Sequence, residues 1–286
     1  MIDKSEITIV SAFFDIGRGN WSVEKGHPSY LQRSPEKYLD YFSNLAELEN
    51  DMIIFTSSEF SEKIRKIRKN KKTIIVEIDI NSKFSDCREK IKAVQNSSVF
   101  KNTVDPAQSR NPEYWSPDYV LVTNLKAYFV KKAITSKLVN THLVAWVDFG
   151  YCRSKETLNG LVKWKYPFNE DKIHFFTINK NFKISKELVN ESILRNQVFI
   201  IGGAIVGTKE KWLNFSNIVY NCQKKILLDS MVDDDQGVFM MAFLEDKDNI
   251  KLNYLGKNKW FNLFKLFDEK SKSNIFEKFK TLLRLN

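Results

Sequence analysis

The sequence predicts an α/β fold with a mainly parallel central sheet flanked by helices. Three observations lead there. Short apolar runs rich in β-branched and aromatic residues alternate with longer stretches of helical spacing. Several of those stretches open on a serine or a Ser-Pro step, as helix starts do. No internal repeat and no low-complexity linker interrupts the alternation, so one domain with a C-terminal extension is the simplest account.

The first apolar run, "ITIVSAFF" (7–14), reads as a buried strand, and "GRGN" (17–20) breaks it. In "SPEKYLDYFSNLAEL" (34–48), Ser34 is placed to cap a helix and Pro35 to occupy its first position. "MIIFT" (52–56) is a second strand, "SEFSEKIRKIRKN" (58–70) a basic helix and "TIIVEID" (73–79) a third strand. "FSDCREKIKAVQN" (84–96) continues as a helix. Residues 103–118 contain three prolines and read as a long loop, a place where function often resides. "SPDYVLVTNLKAYFVKKAI" (116–134) is expected to be one buried helix. "THLVAWVDFG" (141–150) reads as a central strand ending at Asp148 and Gly150. A strand (172–178), a helix near 185–195, the run "VFIIGGAIVG" (198–207) and a helix (208–228) follow. A further helix starts near Gln236, and 250–256 reads as a last strand.

The chain has 286 residues, 43% of them hydrophobic, with 22 Phe and 10 Tyr, enough for a well-filled core. Its net charge of +10 favours polyanionic partners: nucleic acid, anionic lipid head groups or phosphorylated small molecules. A solvated lysine-rich surface is the plain alternative. Cys87, Cys152 and Cys222 stand alone, with neither metal-type spacing nor a disulfide framework, which fits a reducing compartment. "MIDKSEITIV" has no signal-peptide pattern, and no apolar stretch approaches the roughly 20 residues that span a bilayer. The expectation is a soluble or peripheral intracellular protein. His27, His142 and His174 show no paired ligand spacing, and no Ser-His-Asp or Cys-His set can be assembled.

Chemistry concentrates in a few places. Asp148 stands at the C-terminal end of a central strand, where open α/β sheets bind ligands, and Gly150 permits close approach. A helix cap or turn aspartate is the alternative. Asp233, Asp234 and Asp235 precede an apolar helical run. One aspartate suffices to cap a helix; three in a row repel, unless a cation or a proton-transfer role offsets the repulsion. Gly202 and Gly203 in "IIGGAIVG" imply close backbone approach to a substrate or to a neighbouring strand, and no phosphate-loop pattern surrounds them. Asp15, Arg18 and Asn20 follow the first strand, the usual edge of a nucleotide pocket, where Arg18 can pair with a phosphate. Residues 63–72 hold seven Lys/Arg in ten positions, a solvated face or a nucleic-acid footprint. The tail mixes lysines with Trp260, Phe261, Phe264, Phe267, Phe276 and Phe279, a pattern that packs on its own domain or lies on an anionic membrane.

The blocks "AFFDIGRGNW", "YWSPDYVLV", "WVDFGYCR", "IIGGAIVG" and "DDDQGVF" together resemble the bacterial HtrL/YibB family. The likeness runs in order over roughly residues 5–268. That family looks like glycosyltransferases of the GT-A type and is associated with lipopolysaccharide and capsule biosynthesis loci. The resemblance implies a GT-A-like, Rossmann-like catalytic domain over 1–256 and a basic, aromatic-rich helical extension over 257–286. It implies transfer of a sugar from a nucleotide-diphosphate donor, a UDP-sugar, to a glycan or lipid-linked oligosaccharide acceptor, with Mn²⁺ or Mg²⁺ as cofactor. The setting would be cytoplasmic, on the inner face of the membrane, with no specific nucleic acid as partner. GT-A enzymes carry a D-x-D motif at a central strand end; Asp148 matches its first carboxylate and Gly150 stands in place of the second. By this likeness Asp148 and Asp233 are the metal ligands, and Asp234, with Asp235 close behind, is the general base of an inverting transfer. Asp15, Arg18, Asp148 and Gly150 line the donor site. Gly202, Gly203, Gln236, Trp115 and Lys126 bind substrate. Two other readings stay open: a metal-dependent nucleotidyltransferase or phosphodiesterase on a related fold, and a non-catalytic module binding polyanions or membrane.

Overall fold

In the computed structural model, which describes residues 3–269, the apolar runs form a single seven-stranded sheet. In chain order the strands are β1 (Ile7–Phe13), β2 (Met52–Thr56), β3 (Thr73–Glu77), β4 (Leu143–Val147), β5 (Ile173–Thr177), β6 (Ile201–Thr208) and β7 (Ile250–Tyr254). In space they lie β3-β2-β1-β4-β6-β5-β7. Every pairing is parallel except the two made by β6. The α/β class and the mainly parallel sheet are therefore as the sequence predicts.

The helices are α1 (Pro35–Leu45), α2 (Ser58–Ile67), α3 (Ile80–Lys83), α4 (Ser85–Asn96), α5 (Ser98–Thr103), α6 (Pro117–Asn124), α7 (Lys126–Thr135), α8 (Lys186–Arg195), α9 (Lys209–Leu228), α10 (Asp235–Glu245) and α11 (Leu263–Leu266). Their starts are set by side-chain caps. Ser34, Ser116, Ser185 and Thr208 each accept a hydrogen bond from the backbone amide three residues on.

Successive strand residues point to opposite faces, and both faces are covered. Val10, Ile53, Phe55, Val144 and Trp146 join Phe129 of α7, Trp212 and Phe215 of α9 and Phe239 of α10 in one core. Their neighbours Ile9, Ile54, Ala145 and Val147 join Phe42 and Leu45 of α1, Trp164 and Phe264 in the other. This two-sided burial explains why the strands read as continuous apolar runs.

Two expectations change, and the start of the tail is placed. The helix expected over 116–134 is interrupted at Leu125. The Asn124 carbonyl accepts the Gln223 side-chain amide at 2.6 Å instead of continuing the helical ladder. The Asn124 side chain reaches the Asp233 carbonyl at 2.9 Å. The basic run 63–72 is partly internal. Arg68 is buried and donates to the carbonyls of Ala46, Leu48, Asn50 and Lys72, while Lys71 donates to those of Ala46 and Glu47. The first part of the tail, up to residue 269, packs on the domain. Leu263 and Phe264 are fully buried, Tyr151 Oη donates to the Trp260 carbonyl, and Trp164 Nε1 donates to that of Phe267. Residues 270–286, with Phe276 and Phe279, lie outside the described residues. Among the described residues, no helix is long and apolar enough to cross a membrane, and the three cysteines are free.

Candidate functional site

From β1 the chain moves outward to β2 and β3, then returns across the sheet to β4 on the other side of β1. The carboxyl ends of β1 and β4 thus flank a topological switch point, where open α/β sheets bind ligands. A pocket of ≈ 340 Å³ lies there. Its walls come from the segment after β1 (Asp15, Arg18), the segment after β4 (Asp148 to Tyr151), the start of β6 (Gly202, Gly203), Lys126, and the start of α10 (Asp234, Asp235, Gln236). A second pocket of ≈ 790 Å³ adjoins it over the ends of β2 and β3, sharing Phe14, Asp15 and Ile16 and adding Ser57, Glu77 and Asp79.

At the centre stands Lys126, the first residue of α7. Its Nζ lies 2.9 Å from Asp148 Oδ1 and 2.5 Å from Asp235 Oδ2, and it donates to the Gly202 carbonyl at 3.0 Å. The ammonium thus stands between two carboxylates, as ion pairs, and donates to one carbonyl. Burial alone would pull the Lys126 pKa down; Asp148 and Asp235 together outweigh it and hold the group charged well above its ordinary range. Trp146 Nε1 donates to Asp148 Oδ1 at 2.8 Å and fixes that carboxylate from below. Gly202 is required here: a Cβ on it would lie 1.8 Å from Asp235 Oδ2. At Gly203 a Cβ would press on the Tyr151 ring at 3.2 Å.

The three adjacent aspartates do different things. Asp233 is buried and turned into the protein; its Oδ2 accepts the Gly237 amide at 2.8 Å, and it lines no part of the pocket. Asp234 caps α10, accepting the Gln236 amide at 2.9 Å, and lines the pocket. Burial first, then the neighbouring Asp235 charge, push its pKa up to about 7. Asp235 is the first helical residue and closes the clamp on Lys126. Its pKa is raised by burial, against the opposing pull of Lys126. Glu113, from the proline-rich loop, is buried nearby; burial and then Asp234 push its carboxyl up to about 8.

Of the residues singled out in the sequence, Asp15, Arg18, Lys126, Asp148, Gly150, Gly202, Gly203, Asp234, Asp235 and Gln236 meet in one pocket. Arg18 forms a wall: its guanidinium donates to the Leu31 carbonyl and to Tyr38 Oη and packs on the Trp21 ring. Asp15 turns its Oδ1 back to the Gly17 amide. Two expected residues are elsewhere. Trp115 packs on Trp21 and His27, and its Nε1 donates to the Arg110 carbonyl, so it holds the loop together outside the pocket. Asp233 faces the helix amides, so it is not brought to Asp148. Sequence reasoning missed Glu113, Arg33, Arg153, Tyr38 and Tyr119. Only Arg153 carried a usable signal, two residues past "DFGY".

The residues present do not fit a resident divalent ion at Asp148. The space between Asp148 and Asp235 is held by an ammonium. A second carboxylate at position 150 would press on the Tyr38 ring, since a Cβ there would lie 3.1 Å from it. Among the described residues, no group of three or more His, Cys, Asp or Glu is arranged to hold a metal ion.

The family model described as "Bacterial protein of unknown function (HtrL_YibB)" matches residues 5–269. Protein HtrL of Escherichia coli K12 is 49% identical over 265 residues, covering 92% of this chain and 93% of that protein. Among solved structures, mouse xyloside xylosyltransferase 1 in its apo form aligns over 87% of this chain and 85% of its own, with 10% identity and a TM-score of 0.40. The 4-diphosphocytidyl-2C-methyl-D-erythritol synthase of Anaerococcus prevotii aligns over 90% and 91%, with 14% identity and a TM-score of 0.35. Both structural likenesses are distant.

Proposed function

The chain belongs to the bacterial HtrL/YibB family, and we propose that it is an inverting glycosyltransferase of cell-surface polysaccharide assembly. It moves a sugar from a nucleotide-diphosphate donor, a UDP-sugar, to a glycan or lipid-linked acceptor at the inner face of the membrane. The observation that carries this reading is the shared wall of one switch-point pocket: Asp234 stands beside a buried ammonium clamped by Asp148 and Asp235. Nucleotidyl transfer and phosphodiester hydrolysis need their carboxylates free to gather metal ions. Here two are bound to a lysine, and the third is poised as a base.

In the proposed reaction Asp234 accepts the proton of the attacking acceptor hydroxyl. The hydroxyl oxygen forms the bond to the anomeric carbon, and the bond from that carbon to the diphosphate breaks with its electron pair leaving on the diphosphate. A carboxyl with a pKa of about 7 matches this task near neutral pH. Asp148, held by Trp146 and Lys126 through Oδ1, keeps Oδ2 toward the donor sugar. The nucleoside lies in the adjoining pocket over β2 and β3. The net charge of +10 suits an anionic acceptor or surface.

The test is a panel of nucleotide sugars offered with glycan acceptors to the wild type and to Asp234→Asn. Transfer or slow donor hydrolysis by the wild type, lost in the variant, is expected. Absence of both donor binding and turnover with every nucleotide sugar of the panel would overturn the proposal.

A further inference from the structure

We infer that this site works without a divalent cation: Lys126 is the fixed cation between Asp148 and Asp235, and Arg33 and Arg153 meet the charge of the leaving diphosphate. The inference rests on the glycosyl-transfer reading for the identity of the leaving group. Its core, the lysine in the place of a metal, rests on geometry alone.

The two carboxylates come from different segments, after β4 and at the start of α10, and converge on one point. Convergence of that kind favours a cation, since a buried Asp235 and a half-exposed Asp148 facing the same point repel. The cation is supplied by the chain. Lys126 is buried, is ion-paired with both Asp148 and Asp235, donates to the Gly202 carbonyl, and has a glycine opposite whose missing side chain makes room for Asp235. A divalent ion placed between the same carboxylates would have to displace that ammonium or lie in like-charge contact with it in a poorly solvated pocket. Gly150 itself brings no carboxylate to the site, and the Tyr38 ring crowds the place where its Cβ would stand.

A departing diphosphate still requires positive charge. Arg33 and Arg153 line the pocket, and neither is paired with a carboxylate among the described residues. Arg153 lies over the Tyr41 ring at 4.4 Å and near the Phe261 ring at 5.9 Å, which orients the guanidinium plane while leaving its N–H edge open. Guanidinium edges match phosphate oxygens in pairs. Arg18, by contrast, has its donors directed at Leu31 and Tyr38.

Two titrations of the full-length protein test this. Mn²⁺ alone is followed through the electron-paramagnetic signal of the free ion, and inorganic pyrophosphate by calorimetry in EDTA. The wild type should leave the Mn²⁺ signal undiminished and bind pyrophosphate in EDTA, with Arg33→Ala and Arg153→Ala each weakening that binding about tenfold. Folded Lys126→Met should gain Mn²⁺ binding between the two released carboxylates. Uptake of Mn²⁺ by the wild type, loss of pyrophosphate binding in EDTA, or no Mn²⁺ binding by a folded Lys126→Met would each overturn the inference. If that variant does not fold, the wild-type titrations decide. Sugar transfer that requires Mn²⁺ would keep the transferase reading and overturn this one. No transfer with any donor would remove the transferase reading while the Mn²⁺ titrations still judged Lys126.

Discussion

Replacing Lys126 with Met removes a charge and keeps most of the volume, so it isolates the clamp. The lysine side chain is 8% exposed, Asp235 6% and Asp148 39%. Breaking a buried pair by removing one partner costs about 3–5 kcal/mol, because the charge left behind is uncompensated. Water reaches Asp148, so the lower end of that range applies, about 3 kcal/mol. At about 2–4 °C per kcal/mol for chains a little shorter than this one, the melting temperature should fall by about 6–12 °C. The loss should depend on pH. Asp235 already has a raised pKa in the folded protein through burial, with Lys126 opposing. Without the lysine it rises further. A carboxyl whose folded pKa exceeds its unfolded one keeps a proton that the unfolded chain releases, so the folded state loses stability as pH rises. The deficit should therefore be small near pH 5 and full near pH 8, read by urea unfolding at each pH. A deficit below about 1 kcal/mol, or one flat across that range, would refute the claim that Lys126 is there to hold two charged carboxylates.

Asp234→Asn keeps a capping oxygen for the Gln236 amide and loses the base. The turnover number should fall about 10²–10⁴-fold with the melting temperature nearly unchanged, and wild-type activity should climb through about pH 7 as Asp234 ionises; a flat pH profile would count against it as base. Glu113→Gln should be more stable than the wild type near pH 8 and no more stable near pH 5 in urea unfolding, because burial raises Glu113 to about 8 in the folded state and the stability its proton lends disappears as pH rises toward that value. Gly202→Ala should push Asp235 off Lys126, since its Cβ would lie 1.8 Å from Asp235 Oδ2; activity should collapse and stability drop by about 1–3 kcal/mol, and a wild-type melt with wild-type activity would contradict the contact. Arg68→Ala removes the guanidinium donors to the carbonyls of Leu48 and Asn50 and leaves that of Ala46 to Lys71 alone; a loss of more than about 3 kcal/mol with donor binding intact in calorimetry is expected, and a neutral outcome would restore the run 63–72 as a plain solvated face.

The strands were legible because both faces of the sheet are covered, which makes each strand a continuous apolar run. Serine caps marked the helix starts for the same local reason. What stayed hidden depends on contacts between distant segments. The break at Leu125 comes from Gln223, 99 residues away from the carbonyl it takes. The reversed direction of β6 is set by its pairing between β4 and β5, which no local pattern encodes. Arg68 looks like its neighbours in "KIRKIRKNKK", and only the fold turns it inward. Lys126 and Asp148 each stood out as candidates, but the sequence does not say that they touch. Trp115 was misplaced because an aromatic on a long loop serves equally to bind a ligand or to pack the loop, and here it packs on Trp21 and His27.

The aspartate triplet shows why adjacent identical residues need not share a role. It sits where an extended segment turns into α10, and the turn sends successive side chains in different directions. Asp233, just ahead of the cap, folds back on the Gly237 amide. Asp234, with extended backbone, bonds the Gln236 amide and keeps its other oxygen toward the pocket. Asp235, in the first helical turn, points to Lys126. Burial raises the proton affinity of all three; helix amides at Asp233 and Asp234 and the Lys126 ammonium at Asp235 pull against it. The middle residue has no ion pair of its own among the described residues; burial first, then the Asp235 charge beside it, raise its pKa to about 7. A neighbour that is neutral should lower it. Asp235→Asn should shift the midpoint of the wild-type pH–activity profile to more acidic pH, even as it weakens the clamp. An unmoved midpoint would show that some other group sets the titration.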